Sequence, residues 1–169
     1  SLNLKPHDAL DPSELANWLC VPVVALSEHP TIRPEEKQYF ATIGQDDFSA
    51  ATINLRTRRE IIHNDSHHPF RQNSNVAHEL AHIILGHPPK PPMLKDGCRN
   101  FDKRLEREAH DLGFTLLVPK PAALYAVENI RDDEQACEFY GVSNSLLTFR
   151  VRKSDAQRWA KNRAFKRIV

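Results

Sequence analysis

The chain has 169 residues, 40% hydrophobic and 27% charged, the balance of one globular domain and not of a disordered or fibrous chain. No apolar run approaches the roughly 20 residues of a membrane span, and SLNLKPHDAL lacks the apolar centre of a signal peptide. The net charge of +1 conceals +7 over residues 150–169, where eight basic residues meet one acid, and −6 elsewhere. Cys20, Cys98 and Cys137 form an odd set without C-x-x-C spacing, which reads as reduced thiols in a cytoplasmic protein.

Asp11-Pro12-Ser13-Glu14 is a helix start, with Asp as cap and Pro in the first position, and Leu15, Trp18 and Leu19 give that helix its apolar side. Val21 to Leu26 reads as a short strand, and residues 34–42 as a short helix. Phe48 to Leu55 and Glu60 to Asn64 read as the two strands of a hairpin joined by a polar turn at Thr57-Arg58-Arg59. A His-rich polar loop, Asp65 to Gln72, follows.

Asn75 to His87, NVAHELAHIILGH, is the stretch that carries chemistry. Ala77, Leu80, Ala81, Ile84 and Leu85 form an apolar stripe at helical spacing. Ser74 or Asn75 would cap the helix, and Gly86 with Pro88 and Pro89 would end it. Within it, His78-Glu79-Leu80-Ala81-His82 is an H-E-x-x-H motif. Residues four apart share a helix face, so His78 and His82 can grip one metal ion. Glu79, one step round, can take a proton from a water that the ion has acidified. The competing reading is a core helix whose polar groups satisfy one another. Burying a glutamate between two histidines without an ion is costly, which weighs against it.

After Gly86 a Pro-rich segment, His87 to Asp102, reads as a surface loop or flap. Lys103 to Val118 is a strong amphipathic helix with Leu105, Ala109, Leu112 and Leu116 as its expected buried face, and Pro121 to Asn129 a further helix. Asp132 to Ser154 holds two short helices around Tyr140-Gly141-Val142-Ser143, a helix-turn-helix-like pattern. The basic tail that follows admits contact with nucleic acid or an acidic partner, or a solvated helix.

A catalytic zinc site takes three protein ligands. A third histidine at the metzincin position is excluded because Pro88 stands there. The carboxylates of the Lys103–Val118 helix are the alternative. Glu108 lies three after Leu105 and four before Leu112, which favours it over Glu106 as the third ligand. His87 and His110 are candidates for supporting or oxyanion-stabilising roles, as is Tyr140 for the latter. His63, His67 and His68 read as loop or hairpin residues.

RQNSNVAHELAHIILGH followed by LEREAHDLGFTLLVP resembles the ImmA/IrrE family of bacterial and phage metallopeptidases, which pairs H-E-L-x-H with a downstream E-x-E-A-N segment and L-L-x-P. The likeness runs in element order from about Asp11 to Pro119 and more loosely beyond, with His110 standing where the family has Asn. EFYGVSNSLLTFRVR also looks like that family's C-terminal helical segment, which lowers the DNA-binding reading. The resemblance implies a zinc-dependent endopeptidase that cleaves or inactivates an XRE-type helix-turn-helix repressor, with Zn2+ on His78, His82 and the Glu of E-A, here Glu108, and Glu79 as general base.

The expected fold is α+β. A zincin-like core, residues 1–125, sets two site helices against a small antiparallel sheet, and a helical subdomain with the basic tail covers 126–169. The alternative function is a metal-containing regulator that binds DNA or a repressor without proteolysis.

Overall fold

Asp11 opens the first helix as its sequence requires: its carboxylate accepts from the Ser13 amide at 2.7 Å, and Pro12 fills the first helical position of α1, Pro12–Trp18. A computed structural model describes residues 2–55, 58–88, 102–130 and 132–166 of the chain. The apolar side of α1 differs from expectation. Pro12 and Ala16 are buried, while Trp18 is 58% exposed. Leu15 and Leu19 pack, partly buried, against the core around Ala16, as expected of them, so only Trp18 of the expected apolar side is left outside.

β1 (Val23–Ala25), α2 (Pro34–Ala41), β2 (Ala50–Leu55) and β3 (Arg58–His63) follow in order. Arg58 and Arg59, expected in the turn, belong to the return strand, and Thr57 lies outside the described residues. The sheet has the order β1-β3-β2. Its hairpin is antiparallel, with Thr52 opposite Ile61, but β1 joins β3 in parallel, with Val23 opposite Ile61. The sheet is therefore mixed, with antiparallel pairing confined to the hairpin. Ladder hydrogen bonds decide which way β2 faces. The Asn64 amide donates to Ser49 O, so alternate residues of β2 bond inward and Ala50, Thr52 and Asn54 turn their backbone groups to the outer edge.

Asn64, 1% exposed, ties the end of the hairpin to what comes next. Its amide nitrogen donates to Phe40 O at 2.9 Å and Phe48 O at 3.1 Å, and its oxygen accepts from the Ser66 amide at 3.1 Å. From there the chain enters α3, Pro69–Ile84, earlier than Ser74 or Asn75. His68 is the cap, accepting from the Phe70 amide, and Pro69 again takes the first position.

α3 lies between two cores. Val76 and Leu80 pack with Ala16, Val21 and Ile61 on the sheet side. Ala77 packs on the other side with Leu117 and Val118 from the end of α4 (Lys103–Leu117) and with α5 (Lys120–Asn129), α6 (Asp133–Tyr140) and α7 (Asn144–Lys153). The segment 89–101, most of the expected flap, lies outside the described residues, as does Cys98. Cys20 and Cys137 are free thiols. Fold class is thus α+β, with eight helices and one small sheet among the described residues. None of those helices is long and apolar enough to cross a membrane.

The helix-turn-helix-like segment does form two helices, turned by Gly141 at φ +61°. Its second helix spends its apolar face on the core, burying Leu146, Leu147 and Val151. Arg150, counted in the basic tail, is buried too and donates from Nε to Val118 O at 2.9 Å. Lys153 pairs with Asp111, and Arg163, on α8 (Ala156–Lys166), pairs with Glu128. Three of the tail's eight basic residues are thus engaged by the fold itself.

Candidate metal centre

α3 carries His78 and His82 on one face, one turn apart. Their Nε2 atoms stand 3.1 Å apart with the rings edge to face. From α4, Glu106 brings Oε2 to 3.3 Å from His78 Nε2 and 3.6 Å from His82 Nε2. A tetrahedral ion with bonds of about 2.0–2.2 Å sets its ligand atoms about 3.3–3.6 Å from one another. Two of the observed edges, 3.3 and 3.6 Å, fall in that range, and the third, 3.1 Å between the two imidazole nitrogens, is slightly shorter. Two imidazoles and one carboxylate are also a donor set suited to a divalent cation, so these three residues could hold a metal ion.

Glu108, the third ligand on the facing argument, is not in this group. Its Oε2 lies 3.3 Å from His87 Nε2, and its side chain is 46% exposed. The reason is which stripe of α4 meets α3. Ala109, Gly113 and Leu117 are the buried positions, whereas Leu105 and Leu112 are only partly buried. Glu106 precedes Ala109 by three and so continues the buried stripe towards the histidines.

Glu79 turns from α3 to the sheet. Its Oε2 accepts from the Thr52 amide at 3.0 Å and from the Thr52 hydroxyl at 2.7 Å. The amide is one of those that β2 directs outward, so the glutamate of the H-E-x-x-H motif is moored to the sheet edge. Sequence reading did not single out Thr52; a strand pattern gives no sign of which amide meets a helix.

His87 is likewise placed by backbone geometry. Gly86 adopts φ +67°, its amide donates to Ile83 O, and the His87 amide donates to His82 O at 3.0 Å. These two bonds are a Schellman ending, which folds the residue after the glycine back over the last turn of the helix. The His87 ring accordingly lies against His82, Nδ1 to Nδ1 at 2.9 Å.

The other candidates are elsewhere. His110 sits beside the site, its ring centroid 6.3 Å from that of His78 and 3.9 Å from that of Phe114. Desolvation of the ring, and then the neighbouring His78, hold its imidazole below the usual histidine range. Tyr140 is committed to the core, its hydroxyl donating to His7 O and Ala122 O. His67 Nε2 bonds to Gln45 O, His68 caps α3, and His63 lies in β3 with its pKa lowered by burial.

Comparison with known proteins agrees with the geometry. The family model described as Peptidase_M78, IrrE N-terminal-like domain, matches residues 37–152, well over half of the chain, and spans both site helices and the sheet edge that holds Glu79. No curated protein and no solved structure matched the chain. On that match, this chain belongs to the IrrE N-terminal-like peptidase family.

Proposed function

We propose that the protein is a zinc-dependent endopeptidase in which His78, His82 and Glu106 hold the ion and Glu79 is the general base. The observation that carries this reading is the meeting of three ligand-type atoms within 3.1–3.6 Å of one another, two of them on the helix that also carries Glu79. Zinc held there would acidify water towards neutrality and polarise a carbonyl oxygen.

The chain's own residues do the rest. Thr52 fixes one oxygen of Glu79 with two hydrogen bonds, which orients the carboxylate to take a proton from the attacking water and return it to the leaving amine. The outer edge of β2 offers backbone groups at Ala50 and Asn54 on either side of Thr52, where an extended peptide can lie by strand addition. The substrate we propose is an XRE-type helix-turn-helix repressor, from the family resemblance. The alternative, a regulator that acts on DNA through its basic tail, draws less support because Arg150, Lys153 and Arg163 already have partners within the fold.

Metal content by mass spectrometry tests the site. We expect about one zinc per chain in the wild type, lost in His82→Ala and in Glu106→Ala and retained at saturating zinc in Glu108→Ala. Zinc kept by Glu106→Ala and lost by Glu108→Ala would return the third position to Glu108. Glu79→Gln should keep the ion and abolish cleavage of the repressor; full activity in that variant would sink the mechanism.

A further inference from the structure

We infer that His87 and Glu108 are positioning residues that lock His82 in the one neutral tautomer able to bind a metal through Nε2. The inference rests on the His78/His82/Glu106 reading and adds a function for two residues outside it.

Glu108, as a carboxylate, can only accept, so His87 Nε2, 3.3 Å from its Oε2, carries the hydrogen and donates. A neutral imidazole has one N–H, so His87 Nδ1 is then a bare acceptor. His82 Nδ1 lies 2.9 Å from it and must supply the hydrogen of that contact. His82 Nε2 is therefore bare, and it is the atom that faces His78 Nε2 and Glu106 Oε2. The opposite assignment sets the lone pair of His87 Nε2 against the carboxylate and a hydrogen of His82 into the ligand triangle.

Position and burial support the relay. The His87 side chain is 7% exposed, so its ring nitrogens depend on protein partners, and both have one. The Schellman ending fixes where the ring sits, because the residue after the αL glycine is returned to the residue five before it. In that motif the contact is usually between two apolar side chains; here it joins two histidines. Arg104, one turn before Glu108 on α4, has Nη1 4.0 Å from its other oxygen. A partner on the far nitrogen of a ligating histidine sets its tautomer and ring orientation, and removing such a partner typically weakens metal binding about 10–100-fold.

The test combines nitrogen-15 NMR of the histidine rings in metal-free protein with zinc affinity by chelator competition, on wild type, His87→Phe, His87→Gln and Glu108→Ala. The expected spectrum shows His82 protonated at Nδ1 and bare at Nε2, and His87 protonated at Nε2 alone. His87→Phe fills the space but cannot accept, and should weaken zinc about 10–100-fold. His87→Gln, whose amide oxygen can accept from His82 Nδ1, should recover most of that loss, which filling the space alone would not. Glu108→Ala should release the His87 tautomer and shift the His82 spectrum with it. His82 protonated at Nε2, His87 protonated at both nitrogens, or His87→Phe binding zinc as tightly as the wild type would each overturn the relay. A wild type that shows the expected tautomers yet binds no zinc would instead overturn the metallopeptidase reading and leave the relay standing.

Discussion

Gly113 of α4 lies directly on the backbone of His78. A β-carbon built at Gly113 would stand 3.1 Å from Ala77 O and 3.1 Å from His78 Cα and N, tighter than ordinary contact and against a helix backbone that cannot swing aside. The close approach of the two site helices thus depends on a missing side chain, and Glu106 sits seven residues, two turns, before it on the same stripe. Gly113→Ala should push α4 outward. Overpacking costs about 1–3 kcal/mol, while alanine's helix preference returns about 1 kcal/mol. A modest drop in urea-unfolding stability is expected, with zinc affinity falling about tenfold as Glu106 is carried from the histidines.

Thr52 gives a separate handle on Glu79, the proposed base. Thr52→Val keeps the shape and the backbone amide but removes the hydroxyl that donates to Glu79 Oε2. Hydrogen bonds to charged groups contribute about 1.5–3 kcal/mol, so kcat should fall about 10–100-fold. KM and zinc content should stay near wild type, and Thr52→Ser should restore most of the rate. Steady-state kinetics on the proposed repressor substrate with parallel metal analysis checks this; loss of zinc in the valine variant would show that the residue supports the fold and not the proposed base.

Tyr140 makes stability depend on alkaline pH. Burial pushes its phenol from 10.0 up to about 12, because the charged phenolate loses solvation there, with Tyr125 and Asp8 adding smaller repulsions in the same direction. The folded chain therefore holds this proton more tightly than the unfolded one. Its stabilisation is complete below about pH 10 and is lost as pH rises towards 12, a fall of about 2–3 kcal/mol. Tyr140→Phe should be about 1 kcal/mol less stable at neutral pH and should lack this component of the alkaline fall. Unfolding midpoints in urea at neutral pH and above pH 10 distinguish the two chains.

Asn64→Ala should cost about 2–3 kcal/mol, since it removes a side chain that is 1% exposed and with it the partner of the Phe40 and Phe48 carbonyls and the Ser66 amide. Asn64→Asp should be no better, because it faces those carbonyls with an oxygen. Thermal unfolding of both variants measures this, and near-wild-type stability in either would show that water takes the side chain's place.

The H-E-x-x-H helix was legible because its chemistry and its periodicity coincide on a few adjacent residues. Its start was not: Asn73, Ser74 and Asn75 are weak helix formers that favour caps, so the start was placed at Ser74 or Asn75 although His68 and Pro69 begin the helix before them. The choice between Glu106 and Glu108 turned on a subtler signal. Leu105 and Leu112 drew the buried face by size, but helices that cross closely meet at small residues, and Ala109 and Gly113, four apart, mark the true contact. Gly86-His87 after His82 carried a readable sign as well, since a glycine closing a helix returns the next residue to its last turn. Neither the parallel pairing of β1 nor the meeting of Thr52 with Glu79 leaves any local trace, because both are set by which segments become neighbours in space.

The Tyr140 hydroxyl reaches back 133 residues to His7 O, and Asn73 on α3 donates to Gly141 O across 68. As the chain emerges from the ribosome, His78, His82 and Glu106 are all present before the first residue of α6 is made. The core that seats α4 against α3 still lacks Tyr140, Val142, Leu146 and Ala156 at that moment. The proposed ion-binding groups thus precede their scaffold in time, and metal loading during synthesis would act as a ligand for an unfinished fold, drawing the two site helices together ahead of the helices that later hold them.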